Sequence, residues 1–176
     1  SIVSYTAPAS GYFKVGHGLD VKPSMVITKV RNQTGYSWYT WHTGLTNETN
    51  SYLALNVTSA ESNSYTMWPY GFDTETFSHN VGFSAIASST HIAYCFAEVA
   101  GFSKFGSYSG NQSLNVANQL NFGFEPAFVL IKNSTSGNSQ WMLLDSKRPN
   151  GYALFPNTSG IEENYSGDYI LSSSGI

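Results

Sequence analysis

Charge is what this chain has least of. Asp, Glu, Lys and Arg make up 11% of its 176 residues, against about 25% in an average soluble domain. Lys and Arg total 8, and their one adjacent pair is Lys147-Arg148. With no basic cluster, neither a nucleic-acid backbone nor an anionic membrane surface is an expected partner. Cysteine is almost absent too: Cys95 stands alone, so no intrachain disulfide can staple the fold. Its place inside an apolar run reads as a small core residue rather than a reactive thiol. No apolar run approaches the roughly 20 residues of a membrane-spanning helix, and membrane insertion is not expected. A signal-peptide pattern is also missing, and the chain opens on Ser1 rather than Met. That start leads us to expect a processed or excised piece of something longer.

What is present is aromatic and small-polar. Phe, Trp and Tyr reach 15%, and Ser, Thr, Asn and Gly fill most of the remainder. The aromatic and β-branched content excludes a disordered chain, and 176 residues suffice for one all-β domain. Asn-x-Ser/Thr sequons begin at Asn32, Asn47, Asn56, Asn111, Asn133, Asn157 and Asn164. In a chain this rich in those residues they read as chance, not as glycosylation sites.

The run from Ile92 to Val99 organises the rest. It is apolar at nearly every position apart from Glu98 and is stopped by Gly101, the signature of a central strand buried between two layers. Beyond Gly101 the chain repeats its own opening. Ser107-Tyr108-Ser109 echoes Ser4-Tyr5-Thr6, Pro126 echoes Pro23, Lys132 echoes Lys29 and Trp141 echoes Trp38, each at an offset of 103 (107 − 4, 141 − 38). Anchors in common register imply an internal duplication, with one copy over about 1–102 and a second over about 103–176.

Each copy offers a hairpin: Met25 to Val30 with Tyr36 to His42, and Phe128 to Lys132 with Gln140 to Asp145. Alternation puts Tyr39 and Trp41 inside and leaves Trp38 and His42 nearer a surface or groove. Tyr52 to Asn56 is answered by Tyr152 to Phe155. Thr66 to Phe72 is an aromatic cluster broken by Pro69 and Gly71, read as a loop or irregular edge. Thr74 to Asn80 and Val81 to Ala87 read as weaker strands. The second copy has no counterpart of Ile92 to Val99, so either the polypeptide continues beyond Ile176 or another chain supplies that strand.

Taken together, Ile92-Ala93-Tyr94-Cys95-Phe96-Ala97-Glu98-Val99, Gly101-Phe102-Ser103-Lys104-Phe105-Gly106 and Pro126-Ala127-Phe128-Val129-Leu130-Ile131-Lys132 are distinctive. They resemble a domain recurring in structural and tail-fibre-like proteins of marine bacteriophages and cyanophages, over nearly the whole chain. The resemblance implies an all-β fold: an antiparallel β-sandwich of the jelly-roll, concanavalin-A-like or LamG-like kind, here a single domain over 1–176. It also implies a virion-surface, extracellular location, other virion proteins as partners, and assembly as a homo-oligomer.

Catalytic patterns are scarce. A glycosidase needs two carboxylates about 5 to 9 Å apart, and the nearest pair, Asp73 and Glu75, sits in a polar edge segment. Glu98 is expected at the end of its strand rather than buried within it. His17, His42, His79 and His91 lack metal-ligand spacing, and no Gly-x-Ser-x-Gly or phosphate-cradling loop occurs. No cofactor is expected; calcium is the one metal considered, at Asp73 and Glu75 or at Glu162 and Glu163. Sugar rings stack on exposed aromatics, which makes Trp38, His42, Trp68 and Tyr70 the glycan-binding candidates, with core packing as the competing reading of each. The expectation is a non-catalytic structural and adhesion module recognising host cell-surface glycans. A purely structural, strand-exchanging subunit is the alternative, and a polysaccharide depolymerase is a third reading.

Overall fold

A computed structural model describes residues 1–110, 120–165 and 170–176. Among them every named element is a strand, and every named strand pair is antiparallel. Five strands form one sheet in the spatial order β1 (Ile2–Thr6), β7 (Thr90–Phe96), β3 (Met25–Val30), β4 (Tyr39–His42) and β5 (Leu53–Ala54). A two-stranded sheet of β2 (Tyr12–Gly16) and β6 (Thr76–Asn80) lies against it. Two further pairs complete the named strands: β8 (Phe128–Lys132) with β9 (Trp141–Asp145), and β10 (Tyr152–Ala153) with β11 (Glu163–Asn164).

The core lies between the first two sheets. Val26, Trp41, Ala93 and Cys95 point inward from the larger sheet and meet Val15 and Phe77 of the smaller one. Alternation along each strand makes this possible, because paired residues such as Val26, Trp41 and Cys95 share one face. The side chains that fill the gap come from the irregular segment Met67 to Phe72. Trp68 is fully buried, its indole Nε1 donating to the Ser51 carbonyl at 3.0 Å. Phe72 stacks on Trp41 with ring centroids 3.7 Å apart. The chain enters this layer through Gly71, whose φ of +64° suits glycine, and whose missing Cβ would meet Glu48 Oε1 at 2.6 Å.

Three expectations change. The central strand is buried on one face only: His91, Ala93 and Cys95 are inside, whereas Ile92 and Tyr94 are half-exposed and Phe96 is exposed. The strand ends at Phe96, and Glu98 lies beyond it at the surface, paired with Lys104 at 2.6 Å. Val81 to Ala87 forms turns with an isolated bridge between Val81 and Ala85 rather than a strand. The Thr66–Phe72 segment is irregular, as its Pro and Gly imply, yet three of its aromatic and sulfur side chains are core.

The two hairpins share one register. Met25 faces His42 and Thr28 faces Tyr39, while Phe128 faces Asp145 and Ile131 faces Met142, the same pairs displaced by 103 (128 − 25, 145 − 42). After the hairpin the displacement becomes 101. Leu154 bridges Leu143 as Leu53 faces Thr40, and Ala153 faces Glu163 as Tyr52 bridges Ser62 (154 − 53, 163 − 62). Tyr52 therefore answers Ala153, one position on from the expected Tyr152. Side-chain carbonyls obey the same rule: Asn56 Oδ1 accepts the Trp38 N–H and Asn157 Oδ1 the Trp141 N–H, both at 2.9 Å. Asn47 and Asn133 likewise cap turns, accepting backbone N–H groups two and three residues on. Two of the sequon asparagines thus do turn chemistry and two tie distant segments together; Asn111 lies outside the described residues.

The halves meet where β5 ends. Trp141 Nε1 donates to the Ala54 carbonyl at 3.0 Å, Lys132 Nζ to Thr58 at 3.2 Å, and the Glu61 N–H to Ser134 at 2.8 Å. Trp141, the counterpart of Trp38, is buried there.

A polar chain threads the first core. Tyr5 lies between His79 and His91, with ring centroids at 5.5 and 5.3 Å. Ser84 Oγ donates its one proton to the Met67 carbonyl at 2.6 Å, so the bond between His79 Nδ1 and Ser84 Oγ at 2.9 Å must be donated by the histidine. That leaves Nε2 to accept from Tyr5 Oη at 2.6 Å. Neutral His79 is satisfied by this arrangement, and a second proton would oppose the Tyr5 hydroxyl. Burial first, and the charge of His91 second, hold His79 down to about 3 from its ordinary 6.5. His91 is lowered as well, chiefly by burial.

Unfolded imidazoles take up protons near pH 6.5 while folded His79 does not until about 3. Stability is therefore full above 6.5 and falls as pH drops toward 3, by at most about 1.4 kcal/mol per pH unit for each histidine. Urea unfolding at pH 7, 6, 5 and 4 should show this decline, and His79→Gln should flatten it.

Candidate functional site

Of the four glycan-binding candidates, one is core. Trp68 has no exposed ring face; it is wedged between Phe72 and His79, with centroids 5.4 and 5.2 Å away. A sugar cannot reach it, and Trp68 is withdrawn as a candidate. Trp38 and His42 are half-buried on the outer face of the five-stranded sheet. Trp38 stacks on Tyr94 at 6.4 Å, and His42 lies 6.1 Å from the Phe105 ring. His42 Nδ1 accepts the Gly44 N–H at 2.9 Å, and burial lowers its affinity for a proton. Both side chains are thus engaged with aromatic neighbours on an apolar face that includes exposed Phe96 and Ile2.

Tyr70 differs. It is 57% exposed, although its neighbour Trp68 is fully buried. The backbone turns between them because the Gly71 N–H bonds the Trp68 carbonyl at 2.8 Å. Its own N–H donates to Ser78 Oγ of β6 at 2.9 Å, which fixes the residue against the smaller sheet. On that surface β2 presents Tyr12, 54% exposed, edge-on to Tyr70 at 6.0 Å. Lys14, two residues along the same strand face, places Nζ 6.0 Å from the Tyr70 ring centroid. Nζ also pairs with Asp73 Oδ2 at 3.0 Å. Two open rings, an ammonium and the polar turn Asp73-Thr74-Glu75 therefore share one patch. Sequence reasoning found Tyr70 and missed Tyr12 and Lys14; the period-two spacing of Tyr12 and Lys14 was the available signal.

Three of the acids considered for catalysis or calcium, Asp73, Glu162 and Glu163, are engaged with neighbours. Asp73 Oδ1 accepts the N–H groups of Glu75 and Thr76 at 2.9 and 2.6 Å, an Asx turn that, with Lys14, drives its carboxyl far below the usual range. Glu162 pairs with Arg148 at 2.5 Å, and Glu163 accepts from the Tyr165 hydroxyl at 3.0 Å. No group of three or more His, Cys, Asp or Glu side chains gathers among the described residues. A shallow cavity of about 580 Å³ opens at the β3–β4 loop, lined by residues from Arg31 to Tyr36, away from the Tyr70 patch. Cys95 is buried, its thiol pushed up to about 11 by burial. Among the described residues no helix is long and apolar enough to cross a membrane.

A family model described as a domain of unknown function, DUF7483, matches residues 1–176. The chain belongs to that family. No curated protein and no solved structure matches it.

The contrast between neighbours is testable by stability alone. Trp68→Ala should cost about 3–5 kcal/mol in denaturant unfolding, as buried aromatics do. Tyr70→Ala should stay within about 0.5 kcal/mol, as an exposed ring does.

Proposed function

We propose that this member of the DUF7483 family is a non-catalytic surface module, structural and adhesive, that binds cell-surface glycans through Tyr12, Tyr70 and Lys14. The single observation carrying the reading is the pair of open tyrosine rings at 6.0 Å beside a lysine ammonium. A pyranose presents an apolar C–H face that packs on such rings, while its hydroxyls accept hydrogen bonds from the Lys14 ammonium, donate to the Glu75 carboxylate and exchange them with the Thr74 hydroxyl. Placement on a bacteriophage virion, with other virion proteins and further copies of itself as partners, rests on the resemblance of the central motifs to tail-fibre-like proteins. The fold is read as a jelly-roll, concanavalin-A-like β-sandwich made by duplication; the common hairpin register and the paired Asn56 and Asn157 caps support that reading. Trp38 and His42, engaged with Tyr94 and Phe105, are assigned to packing on the sheet face rather than to the sugar.

Immobilised bacterial surface polysaccharides and a glycan array are the direct test. The chain should bind at least one class without shortening it, and Tyr12→Ala with Tyr70→Ala should weaken binding about tenfold or more while leaving the fold intact. Depolymerisation of the bound glycan, or binding indifferent to both substitutions, would overturn the assignment.

A further inference from the structure

The cavity at the β3–β4 loop is lined by an arginine that pairs with nothing. Arg148 is bound to Asp145 and Glu162, whereas the exposed Arg31 guanidinium has no hydrogen-bond or ion-pair partner among the described residues. The strands around it carry no carboxylate. No Asp or Glu occurs in residues 1–19, 21–47 or 76–97, which hold β1 to β4, β6 and β7. Lys29, two residues before Arg31, adds a second positive charge.

The loop is tied down on both sides. The Arg31 N–H donates to the Thr90 carbonyl at 2.7 Å, and Asn32 Oδ1 accepts the Thr90 N–H at 3.1 Å. Gln33 Nε2 donates to Ser89 Oγ at 2.6 Å, and Lys29 Nζ to the Tyr36 carbonyl at 2.7 Å. These bonds fix the loop to β3 and to the start of β7. They leave the Arg31 guanidinium and the Thr34 hydroxyl without a partner, beside Tyr36, around a cavity of about 580 Å³. Small-molecule sites span roughly 300–1,000 Å³.

The second hairpin shows that the fold does not need these side chains. Lys132 Nζ donates to the Ser139 carbonyl at 2.9 Å, as Lys29 does to that of Tyr36, at the displacement of 103 (132 − 29, 139 − 36). At that displacement Ser134 stands for Arg31 and Ser139 for Tyr36 (134 − 31). The lysine closes the hairpin in both halves; the guanidinium and the tyrosine ring belong to the first alone.

We propose that this cavity is an oxyanion site, in which Arg31 holds a carboxylate, sulfate or phosphate group of a small ligand, with Thr34 and Tyr36 beside it. A guanidinium offers parallel N–H groups that match two oxygens of such a group. With no carboxylate among the surrounding strands to compete, the ligand supplies the missing counter-charge. Two positive charges suit one anionic group rather than a nucleic-acid backbone. The site lies away from Tyr12, Tyr70 and Lys14 and does not depend on the glycan assignment made for them.

The test is a titration of the whole chain at constant ionic strength, with backbone amide and arginine Nε–H shifts read by NMR. The probes are sodium sulfate, inorganic phosphate and galacturonate, with galactose as the neutral control. At least one anion should give saturable shifts at residues 31–36, and galactose none. Arg31→Gln should weaken that binding about tenfold or more, and Arg31→Lys, which keeps the charge but loses the fork, by less. Neither substitution removes a bonded side chain, so urea unfolding of both variants should match the parent. Saturation by galacturonate alone identifies an acidic sugar as the ligand class, and saturation by sulfate or phosphate a tetrahedral oxyanion; both support the site. No saturable shift at residues 31–36 with any of the three anions overturns it. So do equal shifts with galactose, or an affinity indifferent to Arg31→Gln.

Discussion

Everything in the first half depends on β7 being paired along both edges. It joins β1 to β3, sets the larger sheet, and turns His91, Ala93 and Cys95 toward the smaller one. Small residues at two of those positions leave room for the rings of Trp41, Phe72 and Trp68 in the gap. Because charge is so scarce, that packing has to carry the fold. The ion pairs among the described residues are at or near the surface, where solvent screens them.

Among the described residues the second half has no strand paired in this way. The hairpin of β8 and β9 keeps the register of β3 and β4, because register is fixed locally by the loop and by alternation. The parts that need a distant strand do not match: residues 105–109 stay out of any sheet, and three buried residues gather where the first core has nine. The half instead leans on β5, through Trp141 and the Ala54 carbonyl. Adhesion fits the smaller sheet of the first half, where β2 and the turn after Trp68 bring two tyrosines together.

Much of this was legible in the sequence. Pro126, Lys132 and Trp141 fixed the displacement of 103, and both hairpins fall where it puts them. The shortened displacement after the hairpin was legible only to within one residue: Tyr52 was matched to Tyr152, a displacement of 100 (152 − 52), and the strand pairing sets it at 101. β7 was placed well but its burial was overstated. A run apolar at odd and even positions carries no alternation, so the open face of Ile92, Tyr94 and Phe96 could not be told from a covered one. Trp68 was misjudged for a related reason: Pro69 and Gly71 announce irregular backbone, and irregular backbone says nothing about which side chains it buries. The chain from Tyr5 through His79 to Ser84 left no motif, as its members meet only through tertiary structure.

The central claim is that one hairpin occurs twice, closed by a third strand in the first half and, among the described residues, open in the second. Native-state hydrogen exchange on the isolated chain tests it most directly. Amides along Met25–Val30 should be slow on both edges, whereas those of Phe128–Lys132 should alternate, slow where they face β9 and fast where they do not. Uniformly slow exchange along Phe128–Lys132 in a monomer would contradict the account.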